Sequence, residues 1–166
     1  MAKHLFLYRH AEAAQAHSSD GDRDRELTAK GISQSNQIGT YLFANNFNVK
    51  HIFTSPALRA HQTAAITAEA MKFNTSDIVI EEELYTATTR TFFEFVSKLD
   101  SVLTSVMCVG HNPTITYLAE YFTKESIGDL VPAGLVIIKF DINTWAEISQ
   151  GNGQLVKYIL PESIEK

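Results

Sequence analysis

Leu5-Phe6-Leu7-Tyr8-Arg9-His10-Ala11-Glu12 is an apolar run that stops abruptly on an arginine and a histidine and continues into a polar loop. This pattern predicts a strand that feeds a site. In open α/β sheets ligands bind beyond the carboxyl ends of the strands, so a guanidinium and an imidazole placed there face a pocket and not the core. Taken alone, Arg9-His10 reads more simply as the end of an ordinary strand with two solvated polar groups, because short motifs are weak.

Two further stretches repeat the pattern. His51-Ile52-Phe53-Thr54-Ser55 runs into Pro56-Ala57-Leu58-Arg59-Ala60-His61-Gln62-Thr63-Ala64, a strand followed by a helical period. Val106-Met107-Cys108-Val109 runs into Gly110-His111-Asn112-Pro113, where Asn112 reads as a helix N-cap and Pro113 as the first helical residue. Parallel pairing of the three strands would bring Arg9, His10, Arg59 and His111 to one edge of one sheet.

The remaining segments fit an alternating α/β chain. Residues 13 to 26, with Ser18, Ser19, Asp20, Gly21 and the charges from Asp22 to Glu26, read as a polar loop, and a charge run of this kind is expected to be solvated. Thr28 is the expected N-cap of a helix that ends near Asn45-Asn46 and buries Ile32, Ser35, Ile38, Gly39, Leu42 and Phe43. Ala60, Thr63, Ala64, Thr67, Ala68 and Met71 form one face of the next helix, whose small residues predict close packing. Ile78-Val79-Ile80 is a short strand, Phe92, Phe95, Val96 and Leu99 mark a third helix, and Ile115, Leu118, Ala119 and Phe122 a fourth. Ser105 to Val109 is apolar throughout, as in a central parallel strand covered on both faces. Leu135 to Phe140 and Leu155 to Leu160, separated by Trp145 and the Gly151-Asn152-Gly153 turn, predict an antiparallel pair extending the sheet.

Composition narrows the functional classes. With 166 residues the chain is expected to be one domain, able to bury roughly two thirds of its unfolded surface without metal or disulfide. Fourteen basic against nineteen acidic residues give a net charge of -5, which argues against a nucleic-acid partner. No apolar run approaches the roughly 18 residues of a membrane span and the start lacks a secretory pattern, so a cytoplasmic protein is expected. The single Cys108 sits in an apolar run and is expected to be a buried, inert thiol in a reducing compartment. An anionic ligand would therefore need a locally basic pocket, and Arg9, His10, Arg59 and His111 would supply one.

These residue types suit phosphoryl transfer, which needs cationic donors around three non-bridging oxygens and an in-line nucleophile. Arginine forks donate two parallel hydrogen bonds without losing charge, and a neutral imidazole nitrogen can attack phosphorus to form a phosphohistidine. Tyr8-Arg9-His10-Ala11-Glu12-Ala13, Leu27-Thr28-Ala29-Lys30-Gly31, Ser55 to Ala64 and Gly110-His111-Asn112-Pro113 together resemble the histidine phosphatase superfamily of phosphoglycerate mutase type, in its order and spacing. The resemblance implies a three-layer α/β fold with a mixed, mainly parallel sheet and helices on both faces. It implies His10 as the phosphorylated nucleophile, with Arg9, Arg59 and His111 completing the phosphate pocket. The histidines and carboxylates could also be metal ligands, but no His-x₃-His or comparable spacing occurs, so no metal or cofactor is expected. Chains of this length with Gly-His-Asn-Pro look most like the bacterial phosphohistidine phosphatases, whose substrate is histidine phosphorylated on a partner protein.

Two departures from the family pattern matter. Ala11 stands where glycine is usual, which adds a methyl group beside the pocket and disfavours positive φ. In Glu82-Glu83-Leu84-Tyr85-Thr86, Thr86 stands where many members carry a glutamate general acid, leaving Glu83 or Glu12 as substitutes that read more simply as exposed loop carboxylates. An alcohol leaving group needs protonation in the transition state, and losing the acid costs roughly 10²–10⁴-fold in rate, whereas phosphorylated imidazole can depart once its other nitrogen is protonated near neutral pH. No long insertion forms a lid, so a side chain on a partner protein could enter. The expected activity is removal of phosphate from protein phosphohistidine. Alternatives are a broad phosphomonoesterase of small phosphorylated substrates and a phosphate-binding module without turnover, the latter disfavoured because binding alone needs no nucleophile.

Overall fold

Along β1 (Ala2–Arg9) side chains alternate between the two faces of the sheet, so Leu5 and Leu7 join one core cluster while Phe6 and Tyr8 join another. Both clusters are buried, which explains why the strand reads as a continuous apolar run. In the computed structural model, which describes residues 2–16 and 21–164, the chain continues through α1 (Ala29–Ala44), β2 (His51–Thr54), α2 (Leu58–Ala70) and β3 (Val79–Ile80). It then runs through α3 (Thr89–Ser97), β4 (Ser105–Gly110), α4 (Thr114–Thr123), β5 (Leu135–Asp141) and β6 (Gly153–Ile159). Ser18, Ser19 and Asp20 of the first loop lie outside the described residues.

The sheet order is β3-β2-β4-β1-β5-β6. β1, β2 and β3 are joined through β4 and β2 by parallel pairings, and β5 alone runs against the others. Residues of α1 and α2, including Ile38, Leu42, Ala60 and Ala64, cover the Phe6–Tyr8 face. Residues of α3 and α4, including Phe92, Val96, Ile115 and Phe122, cover the Leu5–Leu7 face together with Trp145. The expected three-layer architecture is therefore present. All of β4 is buried, as its apolar sequence requires of a central strand. Cys108 lies in that strand as a buried free thiol, and burial pushes its pKa far up, so it is not a thiolate. No helix among the described residues is long and apolar enough to cross a membrane.

Helix starts and faces mostly follow the sequence. Thr28 caps α1 by accepting from the Gly31 N–H at 3.0 Å. The buried face of α1 is Gly31, Gln34, Ser35, Ile38, Gly39 and Leu42. Ile32 and Phe43, expected inside, are instead 49% and 54% exposed. They flank an arc made narrow by close approach to α2, where a β-carbon on Gly39 would lie 2.4 Å from the Thr67 carbonyl oxygen. Gly31 is similarly confined, since its β-carbon would lie 2.1 Å from the Glu12 carbonyl oxygen. The third strand is shorter than expected, Ile78 being excluded, and its two residues are exposed at the sheet edge.

α4 begins one residue later than expected. Pro113 occupies the cap position with no side-chain cap, and Thr114 is the first helical residue. The Asn112 side chain is engaged elsewhere: its amide donates to the Leu130 carbonyl at 3.0 Å, and its oxygen accepts from the Thr116 hydroxyl at 2.7 Å. An amide committed to two tertiary partners is not free to cap.

Candidate active site

The register of the sheet decides which side chains meet. Arg9 at the end of β1 is paired with Gly110 at the end of β4, and Thr54 at the end of β2 is level with Val109. The next backbone bonds continue that edge, His10 N–H donating to the Gly110 carbonyl at 3.1 Å and Ser55 N–H to the Val109 carbonyl at 3.1 Å. Arg9, His10, the start of α2 and His111 thus converge at one carboxyl-terminal edge, as parallel pairing predicts.

The His10 ring is held in a defined tautomer. Its Nδ1 lies 2.8 Å from the Ala11 carbonyl, an acceptor only, so Nδ1 carries the proton and Nε2 keeps its lone pair. Arg59 Nε–H points at that Nε2 at 3.4 Å. Burial, followed by the nearby His111, Arg59 and Arg9, depresses the His10 pKa to about 3, against the raising effect of the Ala11 contact. Consequently the ring is neutral near pH 7, with an unprotonated Nε2 that accepts from Arg59. The two imidazoles lie 5.2 Å apart between ring centroids.

His111 is fixed at both nitrogens. Nε2 lies 2.8 Å from the Ser55 hydroxyl, and Nδ1 lies 3.5 Å from Arg59 Nη2. Burial first and Arg59 second hold its pKa at about 4. The Tyr85 ring packs edge-on against it at 5.7 Å.

Arg59 and Arg9 provide the cationic surface. The Arg59 side chain is 8% exposed and its far end is engaged by Asp22, Nη1 donating to the backbone carbonyl at 2.8 Å and Nη2 to Oδ2 at 3.1 Å. Arg9 Nη1 donates to the Leu130 carbonyl at 2.6 Å. Its Nε is the buried side-chain polar atom that lacks a hydrogen-bond partner among the described residues. A buried donor without a partner costs about 1–3 kcal/mol, which marks it as available to an anion.

The charged loop is not simply solvated. Asp22 is exposed, as expected of a loop residue, but its carboxylate also accepts from Arg59, from the Tyr85 hydroxyl at 2.7 Å and from Arg25 at 3.2 Å. The Tyr85 hydrogen bond, then Arg25 and Arg59, hold its carboxyl at about 2, outweighing its slight desolvation. The other half of the cluster behaves as a surface group, with Arg23 paired to Glu82 and lying over the Tyr85 ring.

Neither glutamate singled out as a proton donor faces the pocket as a free acid. Glu12 accepts from the Thr28 hydroxyl at 3.0 Å and lies 3.7 Å from Lys30, so it is turned toward the start of α1. Glu83 is exposed in the short turn Glu82–Leu84. Ala11 creates no conflict: it is fully buried, its backbone φ is not positive, and its N–H donates to the Thr63 hydroxyl at 3.0 Å.

Sequence reasoning missed Asp22, Ser55, Thr63, Tyr85 and the Leu130 carbonyl. Ser55 and Thr63 sit inside a quoted motif, and Thr63 joins the Ala11 N–H to the Arg59 carbonyl by donating to the latter at 2.7 Å. Asp22, Tyr85 and Leu130 carry no local signal. Among the described residues, no group of three His, Cys, Asp or Glu side chains is disposed to hold a metal ion.

Comparison with known proteins bears on this geometry. Residues 5–95 match the family model described as histidine phosphatase superfamily (branch 1). An uncharacterized protein of Mycobacterium tuberculosis is 29% identical over 164 residues, covering 92% of this chain and 99% of its own length. Phosphohistidine phosphatase SixA of Escherichia coli K12 is 26% identical over 115 residues, covering 69% of this chain and 70% of its own. The tungstate complex of the protein histidine phosphatase SixA superposes with a TM-score of 0.82 at 21% identity, covering 98% and 99% of the two chains, a likeness of fold.

Proposed function

The chain belongs to the histidine phosphatase superfamily (branch 1), and on that premise we propose that it is a phosphatase whose substrate is phosphohistidine on a partner protein. In this reading His10 is the nucleophile and Arg9, Arg59 and His111 bind the phosphoryl oxygens. The observation that carries the choice of substrate is the state of the carboxylates. Glu12 is bound to Thr28, Glu83 is exposed, and Asp22, the carboxylate that reaches the pocket, is held ionised at about 2. None is poised to protonate an alkoxide, so the leaving group must depart unaided. Phosphorylated imidazole meets that condition, because its distal nitrogen titrates near neutral pH.

The chemistry is two in-line displacements. In the first, the His10 Nε2 lone pair forms a bond to phosphorus while the substrate P–N bond breaks and its electron pair stays on the departing imidazole, which keeps the proton on its distal nitrogen. In the second, water displaces His10 from phosphorus and releases inorganic phosphate. Arg9 and Arg59 face the developing charge with guanidinium groups already oriented, Arg9 by the Leu130 carbonyl and Arg59 by Asp22. Near pH 7 a depressed His10 pKa keeps the nucleophile unprotonated at no cost.

The test compares a phosphohistidine-bearing phosphocarrier protein with a panel of sugar phosphates, following inorganic phosphate release. Preferred turnover of the phosphocarrier, with acid-free quenching that traps phosphate on His10 and nowhere else, is the expected result. Preferred turnover of the sugar phosphates would replace this reading with that of a small-molecule phosphomonoesterase.

A further inference from the structure

Asp22 spans the boundary between the buried pocket and solvent. Its side chain is 51% exposed, whereas that of its partner Arg59 is 8% exposed. The Arg59 guanidinium presents its Nε to His10, its Nη1 to the Asp22 backbone carbonyl and its Nη2 to Asp22 Oδ2, so one guanidinium links the nucleophile to the carboxylate. In an in-line displacement the leaving group departs away from the nucleophile. With phosphorus seated against His10 Nε2 and Arg59 as proposed, the Asp22 carboxylate at the rim would border the side toward which a leaving group moves.

The carboxylate has two anchors besides Arg59. The Tyr85 hydroxyl donates to Oδ2 at 2.7 Å, and Arg25 Nη1 donates to Oδ1 at 3.2 Å while its own Nε is fixed on the Ala14 carbonyl at 2.8 Å. A phosphoryl dianion arriving at Arg59 repels the carboxylate and competes for the same guanidinium donors. Tyr85 and Arg25 would then keep Asp22 at the rim. It would stand there as a negative charge beside the departing group.

From this arrangement we infer that Asp22 determines specificity by leaving-group charge, favouring a group that departs with an N–H donor and opposing one that departs as an anion. The inference rests on the phosphohistidine reading above. In that reaction the His10 Nε2–P bond forms and the P–N bond of the substrate breaks, with its electron pair retained by the imidazole nitrogen. The distal N–H remains in place throughout and donates to the Asp22 carboxylate, which accepts no proton. That contact holds the distal nitrogen protonated, the state in which imidazole leaves. A phenolate carrying the same electron pair meets a like charge at the same place, and like-charge juxtaposition is a means of rejecting the wrong partner. Asp22 is thus a specificity-determining residue and supplies no proton.

Two small substrates with one phosphoryl group and opposite leaving groups, phosphoimidazole and 4-nitrophenyl phosphate, test this on the full chain. Asp22→Asn should lower kcat/KM for phosphoimidazole about tenfold, the loss of one charged hydrogen bond. The same variant should raise kcat/KM for 4-nitrophenyl phosphate by about threefold, the scale of an exposed charge interaction. Tyr85→Phe keeps the ring against His111 and removes only the tether, so it should shift the ratio of the two substrates in the same direction by about threefold. Equal losses on both substrates for Asp22→Asn would make Asp22 a structural contact and overturn the inference while leaving the phosphohistidine reading intact. Failure of that reading shows itself earlier and separately: the unmodified protein would turn over 4-nitrophenyl phosphate but not phosphoimidazole, and the inference would fall with it.

Discussion

Ser55 Oγ lies 2.8 Å from His111 Nε2 and also accepts the Ala57 backbone N–H at 3.2 Å, while being fully buried. A hydroxyl both donates and accepts, so Ser55 can partner either tautomer of His111. With Arg59 Nη2 beside Nδ1 at 3.5 Å, the resting ring is served by Nε2–H donating to Ser55. If, as proposed, His111 Nδ1–H donates to a phosphoryl oxygen in its other tautomer, Nε2 must accept, and the Ser55 hydroxyl can rotate to donate that hydrogen bond. Ser55→Ala should therefore lower kcat/KM about tenfold or more, the scale of a hydrogen bond to a charged site. Stability should fall by only about 1 kcal/mol from the lost Ala57 contact, as urea denaturation would report. Activity within twofold of the parent would show that His111 needs no such partner.

Arg59 tests the requirement for a fork. Its Nε faces His10 while its two terminal nitrogens face Asp22 and His111, three directions that a single ammonium cannot reproduce. Arg59→Lys should keep the charge yet lose about 2–4 kcal/mol of transition-state stabilisation, as for one preorganised donor removed. Steady-state kinetics on any turned-over phosphoryl substrate measures it. Equal activity of the lysine variant would place Arg59 outside the reacting centre.

These contacts also show where sequence reading succeeds and where it stops. The faces of α2 and α4 follow from a period of 3.6 and the burial of β4 from an unbroken apolar run, and each pattern is a local property of the sequence. Once β1, β2 and β4 are parallel, register alone carries Arg9, His10 and His111 to one edge. Asp22 meets Arg59 across 37 residues, and Arg9 meets the Leu130 carbonyl across 121. Such contacts depend on how irregular loops fold back, and no period encodes that. Asn112 illustrates the same limit, since a residue with good capping chemistry was claimed by Leu130 and Thr116. Ile32 and Phe43 fail for a different reason: a helical wheel gives the direction of a side chain but not how far the neighbouring helix extends over it.

The histidines make stability depend on pH in a direction that can be worked out. His10 has a pKa of about 3 in the folded chain and an ordinary value of 6.5 when unfolded. Between those values the unfolded chain binds more protons than the folded one, so stability is full above about pH 6.5 and falls as pH drops toward 3. His111, at about 4, acts in the same direction. Asp22 acts at lower pH, its stabilising contribution being lost as pH falls from its ordinary 3.8 through about 2. The slope from one such histidine is about 1.4 kcal/mol per pH unit. His10→Ala should therefore flatten the decline between pH 6 and pH 4 by about that slope, with the His111 share remaining. Urea midpoints across that range decide it. A parallel decline in the variant and the parent would mean that His10 titrates normally.

The leaving-group dependence of the rate tests the absence of a proton donor. Glu12 is held by Thr28 and Lys30, Glu83 is exposed, and Asp22 is ionised, so on the proposed reading the departing group receives no proton from the protein. Across a series of aryl phosphates, log kcat/KM should fall steeply as leaving-group pKa rises, with alkyl phosphates nearly inert and phosphohistidine well hydrolysed. If a carboxyl group did protonate the leaving oxygen, the slope would be shallow, because the acid removes most of the charge that makes a poor leaving group poor. Glu12→Gln or Glu83→Gln would then steepen it selectively. A shallow slope in the unmodified protein would overturn the acid-free mechanism, and with it the physical reason for preferring a phosphoramidate over a phosphate ester.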